Sequence, residues 1–145
     1  MPFRFKMQKI LDYRQQQEEQ AKVRLAQAQN AHDQELARLQ ATLAELAEKQ
    51  GQLVGHLIED NGERWLLENF IKGLRADAAN SQARLKTLGQ ALDAARKFLQ
   101  EKALEHKVLD KLRERQQANY LRDEREKELK ANDETATLRC KASTF

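Results

Sequence analysis

The sequence predicts an all-α fold, a long two-helix antiparallel coiled-coil hairpin formed by one domain of 145 residues. One proline and five glycines interrupt a chain that is otherwise rich in strong helix formers. Charged residues make up 34% of the chain and aromatic residues 6%, so the apolar side chains suit a narrow seam better than a thick globular core. A compact enzyme domain is therefore not expected.

The first helix is expected over about residues 5–52, because no helix breaker lies between Lys6 and Gln50. Within it, residues recur in alternating steps of three and four, the spacing that places one stripe against a partner helix. This seam comprises Leu36, Leu39, Leu43, Leu46, Gln50, Leu53 and Leu57. A more polar seam precedes it, and two consecutive steps of four ending at Leu36 predict a stutter between the two.

The chain is expected to reverse at about residues 53–62, near the only Asp-Asn-Gly triplet and within a glycine-rich stretch. A second helix is expected over about residues 63–132, followed by a frayed tail over about residues 133–145. Its seam residues again recur in steps of three and four. They are Leu74, Ala78, Ser81, Leu85, Leu88, Leu92, Ala95, Leu99, Lys102, His106, Leu109, Arg113, Gln116 and Tyr120.

The charge pattern is that of an exposed helix surface. The net charge is +3, from 26 basic and 23 acidic residues with the two signs interspersed, which does not indicate a nucleic-acid partner. No apolar stretch approaches the length of a membrane span, so we expect no direct membrane insertion and a cytoplasmic location.

Residue patterns typical of catalysis or cofactor binding do not occur. The three histidines, His32, His56 and His106, have no His or Cys at the helical spacing that a zinc site requires. The glycines are isolated, and none begins a phosphate-binding loop. Carboxylates lie beside Lys or Arg, where they stay ionised and do not serve as general acids. We expect no enzyme activity, no metal and no cofactor.

Two clusters of large apolar side chains stand out. Six of these side chains lie near the N-terminus: Phe3, Phe5, Met7, Ile10, Leu11 and Tyr13. They form either the core of a flanking turn or anchors for a partner protein. The other cluster follows the turn and includes Trp65, which is expected to cap the hairpin tip. Phe70 and Leu74, four residues apart on one helical face, belong either to this cap or to an exposed patch for binding.

Four segments resemble the flagellar export protein FliJ family. The opening segment, residues 3–14, precedes a helix rich in glutamine and glutamate, as in that family. Residues 64–74 are similar to its segment after the turn, and residues 109–117 and 127–136 are similar to its C-terminal signature. The resemblance covers almost the whole chain through the order and spacing of these segments.

The resemblance implies a stalk of the type III export apparatus, peripherally associated with the inner membrane. Its partners would be the hexameric export ATPase, the cytoplasmic part of the membrane export gate, and export chaperones. Contacts with the gate would fall to Phe70 and Leu74. Contacts with the ATPase would come from residues near both termini, namely Phe3, Phe5, Leu11, Arg14, Leu112, Arg115 and Tyr120.

Other readings of the same sequence remain open. The stalk protein of a virulence-type secretion system would share this architecture and differ in its partners. A self-associating structural coiled coil would show a mass that depends on concentration and would not bind an ATPase. A cargo chaperone would need a broad apolar groove, for which the sequence offers only the two clusters of large side chains.

Overall fold

The computed structural model of the chain describes residues 2–55 and 60–143, which form two α-helices. Helix α1 spans Gln8–Val54 and helix α2 spans Asn61–Ser143. No strand is present in the described part of the chain. The predicted all-α two-helix hairpin is therefore confirmed.

Short polar contacts define the helix ends next to the turn and the N-terminus. The Gln8 backbone N–H donates to the Phe5 carbonyl at 3.2 Å, so α1 begins three residues later than expected. The Asp60 carboxylate accepts from the Gly62 N–H at 3.0 Å and caps α2. The predicted turn over residues 53–62 therefore overlaps both helix ends. Leu57, a predicted seam residue, lies outside the described residues.

Helix α2 continues to Ser143, so the prediction that it ends near residue 132 is wrong. The stretch expected to fray contains neither glycine nor proline, and nothing in it stops the helix. The Thr135 and Thr137 hydroxyls each donate to the carbonyl four residues earlier, at 2.8 Å. These side chains are satisfied within the helix instead of breaking it.

Contacts within the chain divide it into two units, and the single domain expected from the sequence stays a prediction. The terminal unit comprises Met1–Glu18 and Glu101–Phe145, and the turn unit comprises Glu19–Gln100. Both units pair their two segments antiparallel. In the turn unit, Arg24 contacts Phe98 and Lys49 contacts Phe70, so the partner number falls as the residue number rises.

The seam of α2 follows the predicted spacing. Ser81 is 1% exposed and Leu74 is 6% exposed, at two of the predicted positions. Among the other predicted seam residues, Gln116 is exposed and departs from the pattern. The remaining predicted members are buried or half-buried: Ala78, Leu85, Leu88, Leu92, Ala95, Leu99, Lys102, His106, Leu109, Arg113 and Tyr120.

The seam of α1 in the turn unit differs from the predicted one at Leu36 and Leu43. Leu36 and Leu43 are 38% and 42% exposed, whereas Glu35 is buried. The buried or half-buried residues alternate in steps of three and four without a stutter: His32, Glu35, Leu39, Thr42, Leu46, Lys49 and Leu53. The predicted stutter is therefore wrong. The polar residue is tolerated in the seam because α2 supplies hydrogen-bond donors to its carboxylate.

Candidate functional site

A small apolar cluster joins the two segments of the terminal unit. Leu11 on α1 is 2% exposed and packs with Phe5 and Leu109, which are also buried. Phe3 and Leu112 pack against this cluster and remain partly buried. The segment that precedes α1 is thereby fixed to α2 by apolar burial.

An aromatic pair lies beside this cluster. The rings of Phe3 and Tyr120 are 5.6 Å apart between centroids and inclined by 46°, a favourable tilted arrangement. Pro2, Phe3, Arg4 and Tyr120 line an open cavity of 740 Å³. The terminal unit therefore presents apolar and basic groups together next to this ring pair.

Two polar contacts also bridge the segments of the terminal unit. An Arg14 guanidinium nitrogen, Nη1, donates to the Glu105 carbonyl at 3.3 Å. The imidazole Nδ1 of His106 lies 2.6 Å from a carboxylate oxygen of Glu18. Arg14 is half-buried by its contact, whereas Arg115 is exposed. Arg115 is thus the more accessible of the two arginines singled out from the sequence.

The structure brings together most of the residues that the family resemblance assigns to ATPase contacts. Phe5 and Leu11, however, are 8% and 2% exposed, so they act as core residues of the terminal unit. Phe3 and Tyr120 are only partly buried, and with Arg115 they offer accessible surface. A substitution at Phe5 would therefore test folding before it tested binding.

Helix α2 continues past the aromatic pair as a helix with exposed side chains. Every side chain from residue 125 to residue 141 is exposed. Leu121, Leu129 and Leu138 are 51%, 62% and 67% exposed. Sequence reasoning missed these leucines because Leu138 lies beyond the predicted end of the helix, and Leu121 and Leu129 lie within a stretch dominated by charged residues.

The turn unit carries a second exposed apolar surface. Trp65 and Leu66 are 64% and 63% exposed, and Phe70 is 46% exposed with the Lys49 ammonium 5.7 Å from its ring centroid. A cavity of 610 Å³ is lined by Lys49, Gln52, Glu63, Leu66, Leu67 and Phe70. Leu74 is 6% exposed and lies in the seam, as predicted, so an exposed patch on this face includes Phe70 but not Leu74.

The pKa of the Glu35 carboxyl lies below its ordinary value. The Ser81 hydroxyl and then the Arg84 guanidinium lower the pKa of this carboxyl by hydrogen bonding to its charged form. Both contacts are satisfied within the turn unit, so Glu35 has a structural role there.

In residues 2–55 and 60–143, no three His, Cys, Asp or Glu side chains are grouped to hold a metal ion. None of the described helices combines the length and apolar character needed to cross a bilayer.

The fold and its surfaces define a helical-hairpin protein whose exposed leucines, aromatic rings and arginines are suited to contact with other proteins. A family model described as Flagellar FliJ protein matches residues 3–144. The chain belongs to this family and is thereby identified as a component of flagellar type III export. No curated protein and no solved structure matches the chain significantly.

Proposed function

We propose that this chain binds the hexameric export ATPase as a central stalk, promotes assembly and activity of the ATPase ring, and couples the ring to the membrane export gate. We also propose that it contacts export chaperones. It would act in the cytoplasm, peripherally associated with the inner-membrane export apparatus. Family membership supports the export role, and the exposed groups of the two units support the individual contacts.

The observation that carries the ATPase contact is the exposed end of α2 in the terminal unit. Leu121 and Leu129 remain in water on a helix whose neighbouring residues are charged. A charged helix with exposed leucines fits the interior of a protein ring, where apolar contacts supply affinity and arginines pair with carboxylates. Arg115 and Tyr120 would extend the same contact surface.

The gate contact is assigned to the surface of Trp65, Leu66 and Phe70 in the turn unit. These side chains are large, apolar and at least 46% exposed, as expected of interface anchors. Leu74 would support this surface from within the seam. Neither contact requires catalysis by the chain itself.

The coupling mechanism would depend on shape and differential binding. A single asymmetric helix pair inside a ring can contact only some subunits at a time. Its binding free energy then favours particular nucleotide states of those subunits, and the same free energy links them to a partner bound elsewhere on the chain.

The ATPase contact is tested by measuring hydrolysis and ring mass with the purified cognate export ATPase. The variants are Arg115→Glu and the pair Leu121→Ser with Leu129→Ser, all at exposed positions whose substitution leaves the core intact. Val23→Ser, at a 57% exposed position of the turn unit, is the matched control.

The proposed stalk role would be supported if the unaltered chain stimulates hydrolysis and gives a larger assembly. The control should retain both effects, and the other variants should lose them. Equal stimulation by all variants would exclude the proposed contact surface. The absence of binding by the unaltered chain would exclude the ATPase as its partner. For the gate, Phe70→Ser should weaken binding to the purified cytoplasmic part of the gate and leave ATPase stimulation unchanged.

A further inference from the structure

Two leucines of α1 in the turn unit lie outside the seam. Leu36 and Leu43 are 38% and 42% exposed. They are seven residues apart, a spacing that keeps both side chains on the same side of a coiled coil. Together they form an apolar stripe that is distinct from the surface around Phe70 and from the terminal unit.

A hydrogen bond shows which part of α2 borders this stripe. Arg96 Nη2 donates to Gln29 Oε1 at 3.4 Å, so these two residues flank the same edge of the seam. Leu36 and Leu43 follow Gln29 by one and two heptads. The corresponding heptad positions of α2, counted back from Arg96, are Gly89, Gln82 and Arg75. Because the helices are antiparallel and Glu35 contacts Ser81 and Arg84, Leu36 lies near the level of Gln82.

Gly89 leaves a notch in this edge. A Cβ atom added at Gly89 would meet nothing within 4 Å, so the space beside the glycine is open. The adjacent seam residues Leu85 and Leu88 are half-buried. Leu36 and Leu43, with Gly89 farther along the same edge, border an exposed apolar surface, here called the leucine groove, against which a third helix can pack.

The charges beside the leucine groove are unequal on its two helices. On α2 the flank carries Lys72, Arg75 and Lys86, all exposed. On α1 the residues one turn beyond the leucines are Gln40 and Ala47, which are neutral. One side of the groove is thus apolar and neutral, and the other side is basic.

Two acidic residues lie near one end of the groove and are engaged locally. Gln29 Nε2 donates to the Asp33 carboxylate at 3.0 Å, and Arg96 lies 3.6 Å from the Asp93 carboxylate. The basic flank at Lys72, Arg75 and Lys86 lies farther along the groove.

We propose that the leucine groove binds one amphipathic helix of another protein, with apolar residues at i, i+3 or i+4, and i+7 and an acidic flank that faces α2. Charge complementarity selects this occupant. A second copy of the chain would bring the same basic flank to the contact, so self-association through the groove is disfavoured. This inference goes beyond the ATPase and gate contacts and does not depend on them.

The test uses the full-length chain and two synthetic helical peptides of the same leucine pattern, one with glutamates and one with lysines on the flank. Fluorescence anisotropy of each labelled peptide gives the dissociation constant. We expect the glutamate peptide to bind at least about tenfold more tightly than the lysine peptide. Its binding should weaken as salt is added, because salt screens the attraction between the charges.

Variants of both sides of the groove assign the binding to it. The double variant Leu36→Ser and Leu43→Ser should weaken binding of the glutamate peptide about tenfold. The control variant Leu104→Ser, at an exposed position of the terminal unit, should leave this binding unchanged. The triple variant Lys72→Glu, Arg75→Glu and Lys86→Glu should reverse the preference in favour of the lysine peptide. Reversal would not follow from a general loss of structure.

Several results would overturn the inference. These are no binding of either peptide, equal binding of both, or binding that survives the leucine substitutions. Sedimentation of the chain alone provides a further check. A dimer that dissociates in the Leu36→Ser and Leu43→Ser variant would show that a second copy occupies the groove instead.

Discussion

Ser81 Oγ donates a 2.7 Å hydrogen bond to Glu35 Oε1, and this contact places a carboxylate in the seam where the sequence predicts leucine. Arg84 Nε donates to the same oxygen at 3.0 Å. The two donors compensate the loss of water around the carboxylate. They also fix the rotation of α1 about its axis, which leaves Leu36 exposed.

The Glu35 contact predicts a specific dependence of stability on pH. Its pKa in the folded protein lies below the ordinary value of 4.5, so the ionised carboxylate stabilises the fold above that pH. This contribution is lost as the pH falls from 4.5 through the lowered pKa. Thermal unfolding of the unaltered chain should therefore show a larger fall in Tm on acidification than the Glu35→Gln variant shows.

The matched control for this experiment is Glu45→Gln, at an exposed position of the same helix. That variant should keep the pH dependence of the unaltered chain. The same dependence in all three proteins would contradict a stabilising role for the ionised Glu35.

Leu11→Ala should destabilise the terminal unit strongly, because the side chain is 2% exposed and packs with Phe5 and Leu109. The expected loss in free energy of unfolding is about 2–5 kcal/mol, from lost burial and the cavity left behind. Urea denaturation measures it. Leu104→Ala, at a 62% exposed position, should change stability by no more than about 0.5 kcal/mol.

The ring pair of Phe3 and Tyr120 should contribute a measurable coupling energy. In a double-mutant cycle with Phe3→Leu and Tyr120→Leu, we expect about 0.5–1.5 kcal/mol beyond the two single effects. Thermal and urea unfolding of the four proteins provide the values. Strictly additive effects would show that the 5.6 Å ring contact does not stabilise the terminal unit.

The end of α2 should be the least protected part of that helix. Side chains over residues 125–141 are all exposed, so no apolar burial opposes local opening of the helix there. Amide hydrogen exchange should be faster over residues 125–141 than over residues 101–112. Equal protection of the two stretches in the isolated chain would show that the end is stabilised by contacts absent from this account.

The sequence predicted the hairpin and the seam of α2 because apolar residues such as Leu92 and Leu109 occupy the heptad positions. It failed on α1 only around Leu36 and Leu43, because Leu39 and Leu46 are compatible with either of two neighbouring stripes. Leu36 and Glu35 precede Leu39 by three and four residues, and either spacing suits the seam. Leu36 is the apolar one, but the hydrogen-bond donors on α2 favour burial of Glu35. Pair contacts of this kind cannot be read from the periodicity of one helix.

For the candidate sites, the sequence grouped residues that the structure also brings together, and it left open which of these side chains are accessible. It grouped Phe3, Leu11 and Tyr120, and the structure places all three in the terminal unit. It could not show that Leu11 is a core residue. An amphipathic pattern does not distinguish a side chain that contacts a partner from one that packs within the chain itself. For the same reason, the pattern left open whether Leu74, predicted in the seam, also contributes to an exposed patch.

In the proposed stalk role, one copy of the chain serves a whole ATPase ring, and the stoichiometry of the purified complex tests this most directly. Mass photometry of the chain mixed with its cognate export ATPase and a nucleotide would measure it. We expect assemblies of six ATPase subunits with a single copy of the chain. Rings that carry six copies, or ATPase that forms rings without ever retaining the chain, would contradict the proposed stalk role.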